Sequence, residues 1–183
     1  MTMVSPKGGD APLDPASVEA SKDDKVSTDF LSKKDLWART APLSSVSAAD
    51  FDAVFVPGGH GPMYDLAVDP TSQKLIADFA SKGKVVSSVC HGPAAFINVK
   101  LPDGSHLLAG KKVTGFSDAE EKQVGLMEVV PFSLEQELKK NAAGYETAAE
   151  PWGVKVIVDG KLITGQNPAS AHAVGEAILK AIS

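Results

Sequence analysis

The chain has one cysteine, Cys90, followed at once by a histidine, His91, and the pair stands between a β-branched run, Lys84 to Val89, and Gly92-Pro93. Thiolate is the reactive form of cysteine, and imidazole, with an unperturbed pKa of about 6.5, can carry its proton near neutral pH. A cysteine at the start of a helix feels the positive end of the helix dipole, which favours thiolate, so a lowered Cys90 pKa is expected. Backbone N–H groups near the sulfur, those of Gly59 and His91, can hold an oxyanion as charge develops on an attacked carbonyl, which suits acyl or aldehyde chemistry. The blander alternatives are a small, inert core cysteine and a helix-start histidine bonded to a carbonyl.

Such a pair needs a strand and a turn to position it. Lys84 to Val89 has the composition of a buried strand and runs without a spacer into Cys90-His91-Gly92-Pro93, where proline suits a first helical turn. Phe51 to Val56 is a second apolar run, ending at Pro57-Gly58-Gly59. Between them Pro70 to Ser81 sets Leu75, Ile76 and Phe79 at helical spacing, with Gly83 at its C-terminal cap. Further on, Asp103-Gly104 marks a hairpin turn, Lys112 to Gly115 a third strand, Ser117 to about Val124 a short acidic helix and Ser133 to Ala143 another helix. Val154 to Ile157 and Lys161 to Thr164, split by Asp159-Gly160, read as a hairpin, and Asn167-Pro168 caps a last helix striped with Val174, Ile178 and Ile182. Met1 to Val4 looks like the end of a strand, and polar, Pro-rich sequence from Ser5 to about Ala20 reads as a surface loop. Strands alternating with helices imply a parallel or mixed sheet covered on both faces. In such sheets ligands sit beyond the carboxyl ends of the strands, so Gly58-Gly59 and Cys90-His91 share one crevice.

The 183 residues suit one domain, 1–183, and a net charge of −5 argues against a nucleic-acid partner. A lone cysteine excludes a disulfide framework and makes a reducing, cytoplasmic home the simplest expectation; no signal peptide and no membrane-spanning run are visible. Gly58-Gly59-His60-Gly61 is neither a Walker loop nor a dinucleotide fingerprint. His60, His106 and His172 lack the paired spacing of a zinc site, so no metal and no cofactor is expected. Trp37 and Trp152 are expected as core anchors. Among the acids that open the helix after Ser117, spacing alone does not choose between Asp118, Glu120 and Glu121.

The segments VFVPGGHGPMYDL, VCHGPAAF, VTGFSDAEE and TGQNPASAH together make the chain resemble the PfpI-like superfamily, related to class I glutamine amidotransferases. Within it the chain is most similar to the heat-inducible branch of glutathione-independent glyoxalases, also called glyoxalase III or D-lactate dehydratases, which share sequence with holdase chaperones. The resemblance implies a flavodoxin-like α/β fold, doubly wound with a mostly parallel sheet, and a homodimer. It implies a catalytic set of Cys90 as nucleophile, His91 as acid and base, and Glu121 orienting His91, with Gly58 and Gly59 at the oxyanion and substrate site. The implied reaction is conversion of methylglyoxal, a small dicarbonyl, to D-lactate without glutathione or metal. Deglycase or hydrolase chemistry at the same cysteine, a holdase or redox-sensing stress protein, and an inactive shortened form are the alternatives. The family's first strand and helix, with a glutamate that approaches the cysteine, find no counterpart at the front of this sequence. A shortened gene product or misplaced start is the favoured account, ahead of a natural isoform or a rearranged fold. Such a chain would be expected to be unstable or to borrow a strand from another subunit.

Overall fold

A computed structural model describes residues 1–183, which divide into two units, Met1–Val46 and Ser47–Ser183. In the first unit, strands β1 (Val4–Ser5) and β2 (Gly9–Asp10) precede three short helices, α1 (Pro15–Ala20), α2 (Lys25–Ser32) and α3 (Lys34–Trp37), and the strand β3 (Arg39–Pro42). β3 is central, parallel to β1 with Val4 opposite Ala41 and antiparallel to β2 with Gly9 opposite Thr40. The segment expected as loop up to Ala20 thus ends in a helix. Asp14 accepts from the Ala16 amide and Pro15 fills the first helical position, a start signal that the surrounding prolines and polar residues disguise. None of α1, α2 or α3 contains a buried residue, which is why no apolar period announces them.

The second unit carries the chemistry. Its elements are β4 (Ala53–Val56), α4 (Gly61–Tyr64), α5 (Pro70–Ser81), β5 (Val85–Val89), β6 (Lys112–Val113), α6 (Asp118–Gln123), α7 (Leu134–Asn141), β7 (Gly144–Tyr145), β8 (Val156–Asp159), β9 (Leu162–Gly165) and α8 (Ala171–Ile182). The main sheet has the order β4-β5-β9-β8, parallel across its first two pairs and closed by the antiparallel hairpin of β8 and β9, which turns at Gly160 with φ 65°. Every residue of β5 and β9 is buried, as befits parallel strands covered on both faces. This is the doubly wound, mostly parallel plan expected from the alternation of elements.

Local chemistry explains the helices that cover the sheet. Asp69 caps α5 through the Thr71 and Ser72 amides, and Pro70 takes its first position. At its other end Gly83, with φ 68°, lets the Gly83 amide reach Ala80 O and the Lys84 amide reach Phe79 O, the paired bonds of a Schellman stop. Its buried face, Leu75, Ile76, Ala77 and Phe79, packs on β4 and β5, and α8 packs Val174 against the sheet. Fully burying one such aliphatic or aromatic side chain stabilises by about 1.5–3 kcal/mol.

Two elements differ from expectation. β6 stops at Val113, because the Thr114 amide turns away to donate to Thr164 Oγ1 and the Phe116 amide to Cys90 O. After Cys90 the chain forms a five-residue 3₁₀ turn, Gly92–Phe96, with i to i+3 bonds such as Ala94 N to His91 O, in place of an α-helix.

Candidate active site

Cys90 leaves β5 in a left-handed conformation, φ 61°, which a residue with a Cβ adopts at about 1–3 kcal/mol of strain. Two backbone bonds hold it there: the Cys90 amide donates to Gly165 O at 3.0 Å, and Cys90 O accepts from the Phe116 amide at 2.9 Å. The crowding around this turn selects glycine. A Cβ on Gly58 would lie 2.6 Å from Cys90 Cβ, and one on Gly92 would lie 2.3 Å from Val56 O. Gly58 is therefore the spacer that lets the two loops meet. Gly59, at φ 83°, turns its amide onto Cys90 Sγ, joined there by the amide of His91.

From the sulfur a line of hydrogen bonds runs inward. Cys90 Sγ is 3.3 Å from His91 Nδ1, and His91 Nε2 is 2.6 Å from Glu121 Oε2. His91 is 1% exposed and Glu121 5%, so the pair is shut off from bulk water. Burial holds the imidazole below its ordinary pKa despite the bond to Glu121, so near neutral pH His91 is uncharged. A carboxylate only accepts, which places the ring proton on Nε2 and leaves the Nδ1 lone pair toward the thiol. Burial also pushes the Cys90 thiol up to about 11, against the two amides that favour its charged form and together with repulsion from Glu120 and Glu121. The expected lowering of this pKa is corrected: a five-residue 3₁₀ turn supplies little aligned dipole, and desolvation outweighs it.

Glu121 is aimed by its neighbour. Ser117 caps α6, its side chain accepting from the Glu120 amide while Glu120 Oε2 accepts from the Ser117 amide, a reciprocal capping box. Glu120 is fully buried, and its Oε1 accepts from the Trp152 amide at 2.8 Å, Gln166 Nε2 at 3.0 Å and Asn167 Nδ2 at 2.8 Å. Burial would raise its pKa, but these donors, with Asn167 foremost, more than offset it and hold the carboxyl below its ordinary range. Of the acids in the first turn, Glu120 anchors the helix and Glu121 faces His91. Asp118 instead accepts from Ser133 and Gln136 of the next helix start.

Sequence reasoning missed two participants. His60, the first residue beyond the glycine pair, places Nε2 2.8 Å from Glu121 Oε1 and lies tilted against the His91 ring, centroids 4.0 Å apart. Its place in a glycine loop after an apolar strand is the one sequence signal that pointed there; that strand, β4, lies at the sheet edge with only Val56 buried. Trp152, expected as a core anchor, is 40% exposed, takes φ 66° and meets Phe116 in a T-shaped contact, and Phe116 in turn lies tilted against the His91 ring. Trp37 is only half-buried. His106 and His172 are elsewhere, the first bonded to Ile97 O and the second exposed beside Glu176. No helix of the chain is long and apolar enough to cross a membrane.

Glyoxalase 3 of Candida albicans is 36% identical over 143 residues, covering 75% of this chain and 61% of the relative. Glutathione-independent glyoxalase HSP31 of Saccharomyces cerevisiae is 34% identical over 154 residues, covering 79% and 65% respectively. The chain thus spans less than two thirds of the length of these curated relatives. Among solved structures, Rapid Encystment Protein 24 KDa of Francisella tularensis superposes with a TM-score of 0.92 at 39% identity, covering all of this chain and 81% of that one. The crystal structure of glyoxalase III from Candida albicans gives 0.89 at 29% identity, covering 100% and 80%. The family model described as DJ-1/PfpI matches residues 2–181, nearly the whole sequence, including the cysteine turn and the loops that surround it; the chain belongs to the DJ-1/PfpI family.

Proposed function

We propose that this chain is a glutathione-independent glyoxalase that isomerises and hydrates a small 2-oxoaldehyde such as methylglyoxal to a 2-hydroxy acid, with Cys90 as nucleophile, His91 as acid and base and Glu121 as the group that orients His91. The observation that carries the reading is the unbroken line from Cys90 Sγ through His91 to Glu121, with steps of 3.3 and 2.6 Å. The names of the relatives are consistent with it.

In this reading the sulfur attacks the aldehyde carbon as the thiol proton passes to His91 Nδ1, and the carbonyl electron pair moves onto oxygen, near the Gly59 and His91 amides. Glu121 stabilises the imidazolium that forms. His91 hands that proton on to the oxyanion, giving a neutral hemithioacetal, and the imidazole so freed takes the hydrogen on the former aldehyde carbon as a proton, giving an enediolate. Return of that proton to the neighbouring carbon, with the hydroxyl proton passing from the oxygen beside sulfur to the neighbouring alkoxide, leaves a 2-hydroxy thioester, so one carbon is oxidised and the other reduced with no external electron acceptor. Water then adds to the thioester, the carbon–sulfur bond breaks, and the thiol is restored.

Purified full chain incubated with methylglyoxal, with lactate enantiomers assayed, tests this. Formation of D-lactate that vanishes in Cys90→Ser and His91→Ala, both folded by circular dichroism, is expected. A folded wild type that leaves methylglyoxal unchanged, or a Cys90→Ser protein that still consumes it, refutes the reading.

A further inference from the structure

His60 and His91 approach one carboxylate from two sides, the former at Oε1 and the latter at Oε2 of Glu121. One ligand atom from each of these three residues lies within 4.8 Å of the others. Two imidazole nitrogens and a carboxylate form the His₂Glu donor set with which zinc holds a fourth position open for water. We propose that His60, His91 and Glu121 form a binding site for a zinc-like divalent transition-metal ion, and that the bound metal reversibly shuts off the Cys90–His91 relay. Binding stands on these three side chains alone; only the inhibition rests on the glyoxalase reading.

The fit needs a small adjustment. Tetrahedral zinc with bonds of about 2.1 Å sets its ligand atoms about 3.4 Å apart. The contacts of 2.8 and 2.6 Å therefore open by about 0.6–0.8 Å, within reach of side-chain rotation. His60, with 32% of its side chain exposed, gives the ion a way in to partners that are only 2% and 6% exposed. Two imidazoles select a zinc-like ion over magnesium or calcium, which prefer oxygen donors.

The proton inventory explains the inhibition. Without metal, both Nε2 atoms donate to Glu121. On binding, each imidazole keeps its single proton, moved to Nδ1, while the metal takes both Nε2 lone pairs and one carboxylate lone pair. The Nδ1–H of His91 then faces Cys90 Sγ as an outer donor, at the 3.3 Å contact where the lone pair serves as base. An imidazole bonded to metal through one nitrogen and protonated on the other has no lone pair left for the thiol proton.

The test titrates the full chain with Zn²⁺ by calorimetry and with Co²⁺ by visible absorption, alongside His60→Ala, Glu121→Gln and His172→Ala. The last removes the exposed His172–Glu176 pair, whose atoms are 3.8 Å apart, as an alternative anchor. One equivalent should bind to wild type and His172→Ala, with cobalt ligand-field bands and no sulfur-to-cobalt charge-transfer band. Affinity should fall about tenfold or more in His60→Ala and Glu121→Gln, and Zn²⁺ should raise the unfolding temperature of wild type but not of these two. No binding, equal affinity in His60→Ala, or a charge-transfer band marking Cys90 as ligand overturns the site. If methylglyoxal is turned over, a chelator should restore activity lost to Zn²⁺; zinc bound at this site without inhibition overturns the blocking step. Zinc bound here by a protein that never turns over methylglyoxal upholds the site and removes the glyoxalase reading instead.

Discussion

Adjacent carboxylates with different partners predict opposite phenotypes. In Glu120→Ala the substitution removes an acceptor shared by the amides of Ser117 and Trp152, the Ser117 hydroxyl, Gln166 Nε2 and Asn167 Nδ2. Asn167 keeps a bond to Gly153 O and the hydroxyl can rotate, so the Ser117 amide, the Trp152 amide and Gln166 Nε2 are stranded. Each buried donor left unpaired costs about 1–3 kcal/mol, and with water reaching one of the three through half-open Trp152 the other two together cost about 2–6 kcal/mol. Glu121→Gln keeps the volume and one oxygen beside two histidines, so it should destabilise by about 1–2 kcal/mol while lowering kcat/KM for methylglyoxal by about 10²–10⁴-fold. Urea unfolding followed by circular dichroism gives the first quantity, provided the slope is unchanged. The loss in Glu120→Ala should also shrink in acid. A carboxyl whose folded pKa lies below its ordinary 4.5 contributes stability present above that value and lost as pH falls through the folded one. Glu120→Ala within about 1 kcal/mol of wild type, or Glu121→Gln losing as much stability as Glu120→Ala, would refute the division of labour.

The resting thiol and the packing around it give two further tests. Alkylation of Cys90 by iodoacetamide should rise with a midpoint near pH 11, and a midpoint at or below the ordinary 9.0 would sink the assignment of a neutral resting thiol. Because that folded pKa is raised, the associated stability is complete below pH 9.0 and lost as pH climbs toward about 11, a loss that Cys90→Ser should lack. Gly58→Ala introduces a Cβ 2.6 Å from Cys90 Cβ; it should cost about 1–3 kcal/mol of stability and about 10²-fold in kcat/KM, and a fully active variant would show that the loops are not in tight register.

What the sequence revealed and what it hid divides by range. α5, α6, the β8–β9 hairpin and the turn at Cys90 carry their signals within a few residues: a capping Asp69 or Ser117, an Asp-Gly turn, a proline after the elbow. Such local chemistry was legible, as was the motif that brought Cys90, His91 and Glu121 together. The hidden features depend on contacts across the fold. His60 meets Glu121 across 61 residues, and Glu120 is satisfied by donors 32 to 47 residues further on. The Cys90 pKa lies above rather than below its ordinary value for the same reason. A sequence shows that a cysteine precedes a turn, but desolvation is set by how closely distant residues such as Gly58 and Phe116 close around it.

A buried thiol held neutral changes what the rest of the site must do. A preformed thiolate needs only amides and a dipole, whereas a thiol with its pKa near 11 must lose its proton during the attack. That places the demand on His91, whose own pKa is depressed, so it rests as the uncharged base the step requires. The imidazolium formed would be intolerable in a pocket 1% exposed without an adjacent carboxylate, and Glu121 lies 2.6 Å away. The carboxylate is in turn shared with His60, so withdrawing His60 leaves Glu121 to His91 alone and should tighten that bond. His60 then acts as a brake on the strength of the relay, and His60→Ala should shift the pH dependence of kcat to higher pH, since an imidazolium held more firmly by Glu121 gives up its proton less readily. A pH profile unmoved by His60→Ala would show that Glu121 serves the two histidines independently.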